Sequence, residues 1–271
     1  MRDRGFERAI ESAGGVGQLA RALGIAQPSV SAWTRIPADR VIAIETATGI
    51  PRHELRPDLY ATPDAVEIDE IDRLRAGEYA LLAVLFGRAP DAGLLDRLTN
   101  LKGDNTEMGL ARVALADAAS KTNEHAVSRE YFDLFVGVGR GELLPYASWY
   151  LTGFLMERPL ARVRGDLEKL GIERDGNRAE PEDHLAILLD VMAGLARGDL
   201  GPRDADSAQR LEMQRAFFDA HIKPWALRMF ADTETCKRSE FYRAAALYGR
   251  VFIELESEAF RLMPASGSVA A

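Results

Sequence analysis

The sequence predicts an all-α protein in which a small module precedes a larger helical bundle. Three observations carry this. Apolar residues recur at i, i+3, i+4 and i+7 along most of the chain, as in Leu185, Leu188, Leu189, Met192 and Leu195. Val, Ile and Thr are scattered, and no run alternates apolar with polar residues as a half-buried strand would. The stretch Ala61-Thr62-Pro63-Asp64-Ala65, after Arg56-Pro57-Asp58, is small, polar and broken by proline, which marks a linker over 61–70.

The elements follow in order. Residues 6–12 suit a first helix, and 16–23 a second. Gly24 supplies the positive φ of a tight turn, with the small Ala20 where two helices would cross closely. The next helix starts near Gln27 and continues toward Arg35. It turns Val30 and Trp33 inward and leaves Gln27, Ser29, Ser31, Thr34 and Arg35 outward. Residues 37–48 predict a helix with Val41, Ile44 and the Ala47 region inward, and 54–60 close the module. This pattern resembles a YdaS/Cro-like helix-turn-helix domain over residues 1–60. The resemblance implies DNA as a partner. Gln27 and Ser29 have the chemistry to read base edges, and Arg35 could reach a phosphate. A protein-binding or vestigial module would carry the same core and turn residues.

Beyond the linker, the acids of 67–72 suit the start of a helix, where negative charge meets the positive end of the dipole. The second module spans 71–263. Within it, 174–180 and 198–206 read as loops, Phe241 to Phe260 (with Ala244, Ala245, Tyr248, Phe252 and Leu255 in register) as a helix, and 264–271 as a disordered tail.

Composition narrows the function. The hydrophobic share of 47% with 28% charged residues is that of an ordinary globular protein. One cysteine, Cys236, excludes an intramolecular disulfide framework and fits a reducing compartment. The first residues lack the apolar core of a secretory signal, and no apolar run is long enough to span a bilayer, so a cytoplasmic protein is expected. Residues 1–65 hold eight arginines and eight acids, whereas 66–271 hold 26 basic and 34 acidic residues, so the net charge of −8 lies in the larger module. A neutral helix-turn-helix binds phosphates weakly as one copy, which points to dimerisation and paired half-sites. The acidic body repels nucleic acid and attracts a basic peptide.

No chemistry of catalysis is visible. The chain lacks a GxxxxGK[ST] loop and a GxSxG elbow. The glycines of 137–141 come with no lysine and follow no strand. The histidines His53, His125, His184 and His221 lack the short spacing of a zinc site. No enzyme, metal or cofactor is expected.

Three patches in the larger module belong together. They are Glu130-Tyr131-Phe132-Asp133-Leu134-Phe135 with Leu144-Pro145-Tyr146-Ala147-Ser148-Trp149-Tyr150-Leu151; Glu180-Pro181-Glu182-Asp183-His184; and Phe217-Phe218-Asp219-Ala220-His221-Ile222-Lys223-Pro224-Trp225. Their order and spacing resemble the TorD/DmsD family of maturation chaperones over residues 75–263. The resemblance implies binding of the twin-arginine signal peptide or apoprotein of a molybdopterin oxidoreductase, of the dimethyl sulfoxide/trimethylamine N-oxide reductase or formate dehydrogenase type. Asp183 and His184 would line the peptide region, with His221 and Trp225 framing it. Tyr146, Trp149 and Tyr150 would offer an aromatic, partly polar helix side to an apolar segment. Simple structural roles compete at each position. Pro181 suits the first turn of the following helix with Glu182 and Asp183 complementing its dipole, and Trp225 suits the core. A helix-turn-helix fused to such a chaperone also fits a transcriptional regulator that senses apoenzyme or signal peptide.

Overall fold

The structure, a computed structural model, describes residues 3–60, 70–139, 141–172, 180–202 and 205–263. The linker 61–69, most of the 174–180 loop and the 264–271 tail lie outside the described residues. The chain divides into two compact units, Met1–Glu67 and Ile68–Ala271. Among the described residues every named element is helical, and no helix is long and apolar enough to cross a membrane.

The first unit packs α1 (Arg4–Ser12), α2 (Val16–Ala22), α3 (Gln27–Ser31), α4 (Val41–Thr48) and α5 (Arg52–Leu55) around one small core. Asp3 caps α1 by accepting from the Gly5 amide. Phe6, Leu19, Val30, Ile36, Ile44 and Leu55 fill the centre, and the Trp33 ring lies 5.9 Å from that of Phe6. Gly24 takes φ +66°, as the turn between α2 and α3 requires. Two expectations fail here. α3 ends at Ser31, so Thr34 and Arg35 lie in the bend beyond it. Ala47 is exposed, because a short 3₁₀ turn at Ala38–Arg40 precedes α4, whose buried residues are Val41 and Ile44.

The second unit comprises α6 (Glu70–Gly87), α7 (Ala92–Thr99), α8 (Glu107–Ser120), α9 (Glu124–Tyr131), α10 (Ala147–Thr152), α11 (Arg158–Lys169), α12 (Leu185–Ala196), α13 (Ser207–His221), α14 (Ala226–Thr235) and α15 (Phe241–Leu262). Helix α12 is apolar on most sides, as its run of Leu, Ile, Val and Ala dictates, and buries all but Ile187 and the exposed Asp190. It packs most extensively on α6 and also on α13. Phe86 of α6 joins the parts. Its ring meets those of Phe135, Phe230 and Tyr242 at 5.8, 5.3 and 5.9 Å, all near edge-on. Helix α15 buries Phe241, Ala245, Tyr248, Phe252 and Phe260, but leaves Leu255 exposed. The end of α9 runs into a π-turn at Phe132–Val136, which sets the chain on its way to the 144–152 segment.

Candidate functional site: the junction of residues 144–152 and 180–187

Two chain segments meet side by side through a single antiparallel bridge between Tyr146 and His184. The Ala147 amide donates to the Asp183 carbonyl at 3.0 Å, and the Leu185 amide to the Pro145 carbonyl at 2.8 Å. From this fixed junction two helices start, α10 on one strand and α12 on the other. Each needs its first amides satisfied.

Asp183 and His184 divide that work. Asp183 is fully buried, and its Oδ2 accepts from the Ser148 amide in the first turn of α10 at 2.8 Å. His184 is the N-cap of α12, its Nδ1 accepting from the Ala186 amide at 3.1 Å. The expected register is thereby corrected. Pro181 does not occupy the first turn of α12, which starts at Leu185, and Asp183 caps α10 rather than the helix that follows it. The bridge to Tyr146 holds 181–184 out of helical geometry, and the helix can begin only where the bridge ends. Glu182 is buried and pairs with Arg164 of α11 at 2.9 Å.

Because Nδ1 accepts an amide proton, it carries no proton of its own, and the neutral ring presents Nε2–H instead. Burial pulls the His184 pKa down to about 4, against the opposing pull of Glu180 and Asp183, so the imidazole is neutral near pH 7. The Tyr146 ring stands edge-on to it at 4.9 Å. The Tyr146 hydroxyl donates to Glu180, and its phenol is shifted up by burial first and Glu180 second. His184 and Glu180 open onto a cleft of about 320 Å³ between α6 and α12.

Tyr150, His221 and Trp225 form a second cluster reached through α10. Tyr150, one turn beyond Tyr146, stacks on Trp225 at 5.5 Å, and Arg228 lies 5.4 Å from the Tyr150 ring centre. Trp225 is 2% exposed and donates its indole N–H to the His221 carbonyl at 2.6 Å. His221 is also buried, and its Nε2 lies 2.8 Å from Asp166 Oδ2 of α11. Burial lowers the His221 pKa although Asp166 pulls the other way. Helix α13 ends at His221, so Pro224 sits in the turn between α13 and α14.

The seven residues singled out for peptide binding therefore separate by depth. Tyr150, Asp183, His184, His221 and Trp225 are buried. Tyr146 and Trp149 are half-buried, and His184 presents one edge to the cleft. The cleft residues of α6 and the far side of α12 were not marked by the sequence reading. A helix that is apolar on most sides gives no signal of which stretch borders an opening.

In the first unit, Gln27, Ser29, Ser31, Thr34 and Arg35 are all exposed. Gln27 leans over Gly17 of α2. Arg35 pairs with Asp3 at 3.2 Å and Asp58 at 3.3 Å, which occupies the guanidinium expected to reach a phosphate.

Comparison with known proteins gives two regions of similarity. A family model described as nitrate reductase delta subunit matches residues 101–231, and one described as bacterial toxin YdaS matches residues 6–64. The chaperone protein TorD of Vibrio cholerae (classical Ogawa strain O395) is 33% identical over 168 residues, covering 58% of this chain and 75% of that protein. The chaperone protein TorD of Vibrio vulnificus strain CMCP6 is 26% identical over 208 residues, covering 71% of this chain and 97% of that protein. A crystal structure described as a putative redox enzyme maturation protein from Archaeoglobus fulgidus superposes with a TM-score of 0.46 at 18% identity, covering 67% of this chain and 94% of that one.

Proposed function

Since the chain belongs to the TorD family of chaperones, we propose that its second unit binds the twin-arginine signal peptide of a molybdopterin oxidoreductase in the cytoplasm. It is a maturation chaperone rather than an enzyme, and its client is a molybdoenzyme apoprotein. Reductases of the dimethyl sulfoxide/trimethylamine N-oxide type and formate dehydrogenases are the client classes we favour. The junction of 144–152 with 180–187 carries the reading. Asp183 and the Nδ1 of His184 are both committed to capping helices, which leaves a rigid frame and a neutral N–H donor at its edge. Such a frame suits holding a chain segment, since its geometry is fixed before a ligand arrives.

Titration of the full chain with a fluorescein-labelled twin-arginine peptide, read by anisotropy, is expected to give micromolar or tighter binding, about −8 kcal/mol. His184→Asn keeps a good N-cap and removes the imidazole donor, so binding should fall while the melting temperature holds. Asp183→Ala removes a cap and should cost roughly 1–2 kcal/mol of stability. Absence of binding to any such peptide would overturn the chaperone assignment to this unit.

A regulatory role for the first unit is the second reading, supported by the YdaS match and by the exposed Gln27, Ser29 and Ser31 along α3. In this reading a dimer binds DNA upstream of the operon and the larger unit senses unfilled apoenzyme. A gel shift at low salt should show binding of the intact protein, weakening steeply as salt rises. Gln27→Ala should relax sequence preference, and Arg35→Ala should change affinity little because Asp3 and Asp58 already hold that charge. No shift at low salt would make the unit a protein-interaction module.

A further inference from the structure

Helix α10 ends in a turn that leaves its side chains in solvent. Residues 151–158 are exposed without interruption. Four of them are large and apolar: Leu151, Phe154, Leu155 and Met156 are 45, 69, 43 and 73% exposed. So much apolar surface on one short segment marks a contact. The turn is built rather than slack. Thr152 Oγ1 donates to the Ser148 carbonyl at 2.8 Å and accepts from the Phe154 amide at 3.2 Å, and Gly153 closes α10 at φ +83°. Met156 stands at φ +60°, alone among the described non-glycine residues, in a conformation that L side chains rarely adopt. Charge follows the same segment. Residues 151–164 hold three arginines against one acid, in a unit of net charge −8. Arg164 pairs with Glu182, which leaves Arg158 and Arg162 exposed at the base of the turn. The complementary surface lies in the same unit. The cleft of about 320 Å³ between α6 and α12 sets the apolar Val84 and Ile187 beside the carboxylates of Glu180 and Asp190, with Arg88 as the one basic residue of its lining.

We propose that the 151–158 turn of one copy docks into the α6–α12 cleft of a second copy of this chain. Phe154 and Leu155 enter between Val84 and Ile187, and Arg158 lies toward Glu180 and Asp190. Charge selects this occupant. The turn is apolar and basic, the cleft apolar and acidic, so the two surfaces match each other and neither matches itself. Turn against turn would bring the arginines of both copies together, and cleft against cleft the carboxylates. An anionic membrane also suits apolar side chains beside arginines, but the net charge of −8 on the unit opposes it. A contact of so few residues belongs to the weak, reversible class of interfaces. Self-association of this kind takes both apolar surfaces out of water, and it does not depend on the peptide-binding reading.

Sedimentation equilibrium of the full chain should show reversible self-association with a Kd of about 100 μM, weakening as salt rises. Phe154→Ser with Leu155→Ser alters only exposed side chains and should weaken the association at least about tenfold. Val84→Ser with Ile187→Ser should do the same from the cleft side. If that pair lowers the melting temperature, Glu180→Gln with Asp190→Asn takes its place, with a loss of about tenfold expected. The two kinds of variant are then mixed, the turn variant carrying a fluorescent label read by anisotropy. They should associate with each other, because the mixture keeps an intact cleft on one protein and an intact turn on the other. A wild type that stays monomeric up to about 1 mM overturns the proposal. Self-association unchanged in both variants places the contact elsewhere in the chain and also overturns it. Turn and cleft variants that fail to associate when mixed overturn the pairing of turn with cleft.

Discussion

Glu256→Ala is expected to destabilise the second unit by about 3–5 kcal/mol, the usual cost of leaving a buried charge without its partner. Arg75 of α6 sends Nε and Nη2 to the two oxygens of Glu256 of α15 at 2.8 and 2.7 Å. The Tyr79 hydroxyl donates to the same carboxylate at 2.7 Å, and Arg75 Nη1 donates to Gln214 of α13 at 2.8 Å. The Phe260 ring covers the guanidinium with its centre 5.0 Å away. Burial works against the Arg75 charge, yet the hydrogen bond and charge of Glu256 outweigh it and hold the guanidinium above its ordinary pKa. Removing the carboxylate leaves Asp72, one turn away on α6, as the remaining anionic partner of a guanidinium largely buried among three helices. Thermal melts followed by circular dichroism should show a loss of roughly 10 °C for a unit of this size. Arg75→Met with Glu256→Met removes both charges and should recover most of the loss. A double variant no more stable than Glu256→Ala would mean that the network contributes through shape and not through charge.

Glu130→Ala is the second large effect, expected at about 2 kcal/mol. The carboxylate of Glu130, at the end of α9, accepts from the amides of Glu240 and Tyr242 at 2.8 Å and of Phe241 at 3.1 Å. The start of α15 thus has no cap of its own side chains and borrows one from a helix far away in sequence. A charged acceptor at a helix N-terminus also complements the dipole there. Urea unfolding should show a lower midpoint at unchanged slope, and Glu130→Gln should recover part of the loss because one oxygen remains. A midpoint within error of wild type for Glu130→Ala would show that solvent satisfies those amides equally well.

Neither carboxylate was legible as a structural part from the sequence. Glu130 stood at the head of an aromatic patch, but its partners lie 110 to 112 residues away, and Glu256 meets Arg75 across 181 residues. Local pattern reports periodicity, and long-range ion pairs have none. The helices themselves were legible for the opposite reason. The unbroken apolar face of α12 and the spaced aromatics of α15 are local, and only Leu255 fell on the wrong side. The candidate site was half legible. Asp183, His184 and Tyr146 do meet, but the start of α12 was placed too early, because proline and acids suggested a first turn and nothing local reveals a bridge to Tyr146. In the first unit the turn at Gly24 followed from glycine chemistry. The short reach of α3 and the pairing of Arg35 with Asp3 and Asp58 depend on contacts across the fold.

Two adjacent residues, Asp183 and His184, each fasten a different helix, so this step behaves as a rivet through two plates rather than as a loop. The loop cannot loosen on one side alone. Any movement that withdraws Asp183 from the Ser148 amide also pulls on the neighbouring ring that begins α12, and the aromatic segment of α10 shifts with the most buried helix of the unit. A ligand gripping the His184 edge would therefore be felt at Tyr150 and Trp225 without touching them. Loss of either cap therefore disturbs both helices, one directly and one through the neighbouring residue.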